Sequence, residues 1–195
     1  MRIGFDGKEA VMGKGKHSRF SRALISAIAE SYPDVECMVY TPSLKNNDWT
    51  SKMGEFHNVR FCLPAASGFG GEMWRTFGVT NNLPADKIDV FHGLCGTLPL
   101  NIYQSGLPSV VSFTGHEYAG EKKGLAFVAK KISDYKRRKA CENSAAVIVA
   151  DDNAKSQLSK FYVISLDKMK VIDPEIASKD LARLHMELYR ELLSK

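Results

Sequence analysis

Two spacings of apolar residues alternate along this chain. Short runs of four to six are followed by stretches in which apolar side chains return every three or four positions, the signatures of strands and helices. Arg2-Ile3-Gly4-Phe5-Asp6 is the first run, Gly13-Lys14-Gly15-Lys16 a glycine-marked loop, and Phe20, Ala23, Leu24, Ala27 and Ile28 the stripe of a long amphipathic helix reaching Tyr32. Glu36 to Thr41 reads as a second strand, stopped by Pro42 and a polar run to Lys52, and Asn58 to Leu63 as a third, stopped by Pro64. Glu72 to Asn82 reads as a helix carrying Met73, Trp74 and Phe77, with Trp74 packing into the core or an interface.

The second half is more regular. Lys87 to Gly93 is a fourth strand and Ser109 to Phe113 a fifth, nearly continuous in apolar residues as a strand covered on both faces should be. A helix from Leu125 to Asn143, a strand from Ala146 to Ala150, a helix from Asp152 to Tyr162 and a short strand, Lys170-Val171-Ile172, complete the alternation. That order predicts an α/β fold: a doubly wound, mostly parallel sheet of about seven strands, with any ligand crevice outside the carboxyl ends of the strands.

Three loops at those ends are the places for chemistry. The first, Gly13 to His17, opens a helix, where unpaired backbone N–H groups and the dipole favour an anion. It meets neither the dinucleotide fingerprint nor the Walker loop, so a phosphate contact through Gly13, Gly15 and Lys16 and a plain turn both stay open. The second begins at His92-Gly93, where His92 either lines a site or packs. The third, Thr114-Gly115-His116-Glu117-Tyr118, sets an imidazole and a carboxylate beside the crevice, candidates for acid–base work or ordinary loop residues.

Composition narrows the setting. At 195 residues and 44% hydrophobic content the chain can bury one sizeable core. No apolar run approaches the roughly 20 residues of a membrane span, and the amino terminus reads as a strand where a secretory signal needs an unbroken apolar segment, so a cytoplasmic protein is expected. Cys37, Cys62, Cys95 and Cys141 form no C-x-x-C pair, which argues for reduced thiols and against a zinc site. A net charge of +5 favours anionic partners in general. On a helical wheel Leu125, Val128, Ala129, Ile132 and Tyr135 form the predicted buried stripe, with Lys123, Lys130, Lys131, Arg137, Arg138 and Phe127 outside. Such a face is solvated or rests on the anionic inner surface of a membrane.

Several short blocks carry a resemblance. Met1 to Lys8 with the Gly13/Gly15 loop, Trp74-Arg-Thr-Phe-Gly, Asp89-Val-Phe-His92-Gly93-Leu, Leu98-Pro-Leu-Asn-Ile, Gly106-Leu-Pro-Ser-Val-Val and Asp134-Tyr-Lys with Ala140-Cys-Glu-Asn look like the N-terminal half of family-4 glycosyltransferases of the GT-B fold. The similarity runs from Met1 to about Ile172. It implies a Rossmann-like acceptor-side domain over residues 1–172, transfer from a nucleotide-sugar with retention in a cleft shared with a second domain, and no metal. The implied substrate-side residues are Gly13, Gly15, Lys16, His92, Gly93, Thr114 and Gly115.

Departures qualify what the resemblance implies. Thr114-Gly115 stands where family members commonly have a His-Asp pair, with His116 displaced by two residues, and Asp151-Asp152 stands where a Ser-Glu pair is common. The donor-binding domain with its spaced pair of glutamates is missing after Ile172. Instead, residues 173–195 form a final helix with Ala177, Leu181, Leu184, Leu188 and Leu192 as its stripe and Pro174 in its first turn, similar to the helix that crosses back onto the first domain in full-length relatives. The expected function is thus a glycosyltransferase-like domain that binds a sugar or lipid-linked sugar acceptor and does not complete transfer alone, with a nucleotide-sugar entering only if a partner chain supplies the donor domain. Nucleic acid is not an expected partner. The alternative is a non-enzymatic binding or scaffold module that contacts protein or an anionic membrane.

Overall fold

The apolar run at the start of the chain becomes the middle of the sheet. The structure, a computed structural model, describes residues 1–65, 70–114 and 125–195, the side chains of residues 125–129 apart. Its elements in order are β1 (Arg2–Asp6), α1 (Lys8–Met12), α2 (Lys16–Ser31), β2 (Glu36–Tyr40), α3 (Asp48–Gly54), β3 (Val59–Cys62) and α4 (Gly70–Met73). A π-helical turn (Trp74–Gly78) leads into α5 (Val79–Asn82). Then come β4 (Val90–Gly93), β5 (Ser109–Phe113), α6 (Leu125–Asn143), β6 (Ala146–Val149), α7 (Asp152–Tyr162), β7 (Met169–Val171) and α8 (Ser178–Leu193).

The seven strands lie in the order β3-β2-β1-β4-β5-β6-β7, and every pairing is parallel. Chain progress reverses beside β1, so the β1–β4 boundary is the switch point of a doubly wound sheet. One face carries α2, α3 and α8 over Ile3, Phe5, Cys37 and Val39. The other carries the helical segment from Gly70 to Asn82 with α6 and α7, over Met38, Tyr40, Phe91 and Val111. Both layers are needed because β1, β4, β5 and β6 are buried on both faces.

Two helices were not expected. The five residues of α1 are too few for a period to show. In α3 the signal was a capping box: Asn47 Oδ1 accepts from the backbone of Trp49 and Thr50, and Thr50 Oγ1 accepts from Asn47 N. Trp49 from that helix meets Phe61 edge-on and donates its indole N–H to Ser26.

The last helix returns onto the sheet and packs along α2. It starts at Ser178, so Pro174 lies in the preceding turn rather than in the helix, and Ala177 is exposed. Of the expected stripe Leu181 and Leu188 are buried, but Ala182, His185, Met186 and Tyr189 lie as deep. The buried face is therefore rotated and includes two side chains with polar atoms. On α6 the described part of the expected stripe is not buried, Ile132 and Tyr135 being 55% and 46% exposed while Ala140 and Cys141 are buried; Lys123 and the side chains of Leu125, Phe127, Val128 and Ala129 lie outside the described residues. Among the described residues no helix is long and apolar enough to cross a membrane.

Candidate functional site

Two neighbouring places lie at the carboxyl ends of the strands. At the switch point itself a carboxylate and a guanidinium are buried as a pair. Asp6 ends β1 at 7% exposure, and Arg75 from the π-helical turn holds it with two bonds, Nε to Oδ1 at 2.8 Å and Nη2 to Oδ2 at 2.6 Å. The same Nη2 reaches Thr97 Oγ1 at 3.0 Å, and Glu72 approaches Arg75 at 3.5 Å while pairing with Lys8 at 2.8 Å. Burial draws the Arg75 pKa down, but the charge and hydrogen bonds of Asp6, with the charge of Glu72, outweigh it and raise the pKa. This bidentate pair is the strong form of an arginine–carboxylate contact.

His92 lies behind this pair and lines no crevice. It is fully buried, with Nδ1 2.6 Å from the Tyr189 hydroxyl of α8 and Nε2 2.7 Å from Ser112 Oγ of β5. Its ring stacks on His185 at 5.7 Å, and His185 Nδ1 donates to Leu181 O. Burial lowers both imidazole pKa values, that of His185 to about 4, and the two rings further disfavour charge on His92. These are neutral groups at neutral pH. They join the sheet to the last helix.

The open place is one step along. A cleft of about 360 Å³ lies beyond the ends of β5, β6 and β7, against the first turns of α2. Lys16, Arg19, Phe20 and Ala23 form one wall, Thr114, Ala150 and Asp151 the floor, and Asp173, Pro174 and Glu175 the other wall. Gly15 caps α2 with φ 91°, a conformation that side chains rarely adopt, and no side chain caps the helix. Asp151 caps α7 instead, its Oδ1 accepting from Ala154 N at 2.6 Å, and Asp173 Oδ1 accepts from Glu175 N at 2.9 Å. Thr114 Oγ1 is 2.9 Å from His17 Nδ1, which fastens the end of β5 to α2.

The cleft therefore offers cationic donors and carboxylate acceptors together beside an apolar strip from Phe20 and Ala23. A ligand with many hydroxyls needs both kinds of partner and some carbon surface, so this chemistry suits a polyol ring better than a bare anion.

Of the residues named from the sequence, Lys16 and Thr114 come together in this cleft, with Gly15 beside them. Gly13 ends α1, donating its N–H to Glu9 O at 3.0 Å. Gly93 is buried where a side chain would collide with the Thr97 carbonyl, so it permits a close backbone approach. Gly115, His116 and Glu117 lie outside the described residues. Arg19, Asp151, Asp173 and Glu175 were not assigned to a site, although Asp151 and Asp173 each follow a strand end by one or two residues. Applying the strand-end rule to β6 and β7 finds the two aspartates.

All four thiols are unpaired. Burial pushes Cys37, Cys95 and Cys141 up to about 12 and Cys62 up to about 11, which keeps these groups as thiols at neutral pH. No cluster of metal-binding side chains occurs among the described residues.

No protein-family model matches the chain, and no curated protein matches it by sequence. Solved structures do match. HepE of Anabaena, in complex with UDP and glucose, aligns with a TM-score of 0.57 at 15% identity over 96% of this chain and 50% of its own. The lipopolysaccharide outer core galactosyltransferase WaaB gives 0.54 at 13% identity over 89% of this chain and 45% of its own. A glycosyltransferase from Rickettsia africae gives 0.51 at 9% identity over 96% and 48%. This chain has a glycosyltransferase-like fold. It spans about half the length of these three proteins.

Proposed function

We propose that this chain is the acceptor-side half of a GT-B glycosyltransferase, holding a sugar or lipid-linked sugar acceptor in the cleft between α2 and the ends of β5–β7. The observation that carries this reading is the mixed lining: Lys16 and Arg19 on one wall face Asp151, Asp173 and Glu175, over the apolar strip from Phe20. The likeness to half of each of three glycosyltransferases supports it.

In this reading the nucleotide-sugar sits on a second lobe outside these 195 residues, in the same polypeptide or in a partner chain. Glycosyl transfer needs groups on both sides of the reacting bond, and a single wall leaves one side to water. The chain alone therefore binds acceptor and does not turn over.

Thermal stabilisation tests the reading directly. Saturation at a hundredfold excess over Kd adds about 2.7 kcal/mol, which at this chain length raises Tm by several degrees. Acceptor mono- and disaccharides should stabilise the protein and UDP-sugars alone should not. Stabilisation by UDP-sugars alone, or sugar transfer by the purified chain, would overturn it.

A further inference from the structure

The outer side of α6 and the end of α7 expose a set of large apolar side chains: Ile132 and Tyr135 on α6, then Phe161, Val163 and Leu166 where α7 ends and the chain turns toward β7. They share one surface. Tyr135 and Phe161 line the same shallow groove, and Ile132 lies one helical turn before Tyr135. Lys168, which closes the turn Leu166–Lys168, donates to Cys141 O and Glu142 O and so holds that turn against the end of α6. Apolar residues scattered singly on a surface are ordinary, but a contiguous group marks a place of contact.

Backbone strain at Val163 points the same way. Val163 ends α7 in the left-handed region, with φ 55° and ψ 54°, and its side chain is 91% exposed. Glycine is the usual residue at such a helix end, and a β-branched residue there is strained. A strained side chain that packs on almost none of its own protein is explained by a contact outside it. Charge indicates the nature of that contact. Residues 130–170 hold ten lysines and arginines against five aspartates and glutamates, a net +5 that equals the net charge of the whole chain. Six of the ten, Lys130, Lys131, Lys136, Arg137, Arg138 and Lys139, are on α6, where Asp134 and Glu142 are the carboxylates. Arg137 pairs with Asp134, and Arg138 and Lys139 with Glu142; six cations against two carboxylates leave +4 on the helix however those pairs form.

From this arrangement we propose that the outer face of α6, with the end of α7 and the turn through Lys168, is a docking surface for an anionic phospholipid bilayer. Phe161, Val163 and Leu166 enter the boundary between head groups and acyl chains, and the cations of α6 lie over the anionic head groups. Aliphatic Ile132, Val163 and Leu166 suit acyl chains, whereas a nucleic acid calls for aromatic stacking faces along a basic groove. Lysine stems lie along such apolar surface while their ammonium groups stay at head-group level. The surface is separate from the α2 cleft: Asp151 of that cleft and Tyr162 are at opposite ends of α7, about 16 Å apart along its axis. The proposal does not depend on the reading of the cleft.

Co-sedimentation of the full chain with vesicles tests it. Vesicles of phosphatidylglycerol mixed with an equal part of phosphatidylcholine should bind at least about tenfold more tightly than phosphatidylcholine alone. Salt at about 1 M, which shortens the screening length to about 3 Å, should weaken that binding at least about tenfold. Phe161→Ser should weaken it about tenfold by removing an apolar anchor. Val163→Gly should weaken it severalfold while raising Tm, because glycine relieves the left-handed backbone and takes the apolar side chain away. A merely structural role for these two side chains would leave vesicle affinity where it was. Asp173→Ala, in the α2 cleft, should not alter vesicle binding, which separates failure of this proposal from failure of the acceptor reading. Equal binding to both kinds of vesicle, or binding unchanged in both Phe161→Ser and Val163→Gly, would overturn the proposal. So would self-association without lipid that Val163→Gly abolishes, in a chain that ignores vesicles, since the surface would then belong to a second copy.

Discussion

The ends of β1 and β4 and the ends of β5 to β7 lie side by side on one edge of one sheet, yet they solve opposite problems. At β1 the carboxylate of Asp6 is almost wholly buried and fully engaged by Arg75, and at β4 His92 spends both ring nitrogens on Tyr189 and Ser112. At β6 and β7 the carboxylates of Asp151 and Asp173 are exposed and, among the described residues, bond to nearby backbone N–H groups, which leaves acceptor capacity beside the cleft. The first region is finished internally, whereas the second still has hydrogen bonds to make. A switch point is the expected place for a ligand in a doubly wound sheet, but the open cleft here lies one strand over.

The comparison can be broken from the closed side. Removing residues 173–195 should have the largest effect, because Leu181, Ala182, Met186, Leu188 and Tyr189 belong to the core on the α2 side of the sheet. The truncated chain should lose cooperative unfolding by circular dichroism; an unchanged Tm would refute the closed-unit account. Arg75→Ala comes next. It strands a buried carboxylate at Asp6, and breaking such a pair costs about 3–5 kcal/mol, readable in urea midpoints.

Acid should open the same side more gently. His185 is depressed to about 4 in the folded chain by burial, against about 6.5 unfolded, so below 6.5 the unfolded chain binds the extra proton. Stability from this residue is fully present above pH 6.5 and falls by roughly 3 kcal/mol as pH drops to about 4. His92 is depressed in the same direction and adds to the loss. His185→Phe should flatten this part of the pH profile, and an unaltered slope would show that carboxylates alone set it. Tyr189→Phe, which withdraws one hydrogen bond from buried His92, should cost about 1–2 kcal/mol at neutral pH.

The β-rich half of this architecture was readable because its strands are buried on both faces, which writes them as unbroken apolar runs such as Val110-Val111 and Val147-Ile148-Val149. Helix existence was readable too, but helix phase was not. On α6 and α8 the wheel follows the summed apolar pattern, whereas the actual facing differs: Tyr189 turns inward to meet His92, His185 turns inward with its one hydrogen bond to Leu181 O of its own helix and stacks on His92, and Tyr135 turns outward. The site shows the same limit. Lys16 and Thr114 were visible from loop position, but no local pattern distinguishes Asp6, closed off by an arginine 69 residues away, from Asp151, left open. Burial of His92 likewise depends on an α8 residue 97 positions on.

On the open side, substitutions should leave the fold almost untouched. Asp173→Ala and Lys16→Ala change exposed groups, so stability should move by no more than about 0.5 kcal/mol. That small effect makes them the means to test the central claim. The measurement is the thermal shift produced by acceptor disaccharides on the parent chain, on Asp173→Ala and on Arg75→Lys. If the open cleft holds the acceptor, the shift disappears in Asp173→Ala and survives in Arg75→Lys, whose lower starting Tm does not alter the increment. A shift that survives in Asp173→Ala but disappears in Arg75→Lys would place the sugar at the switch point and contradict the account.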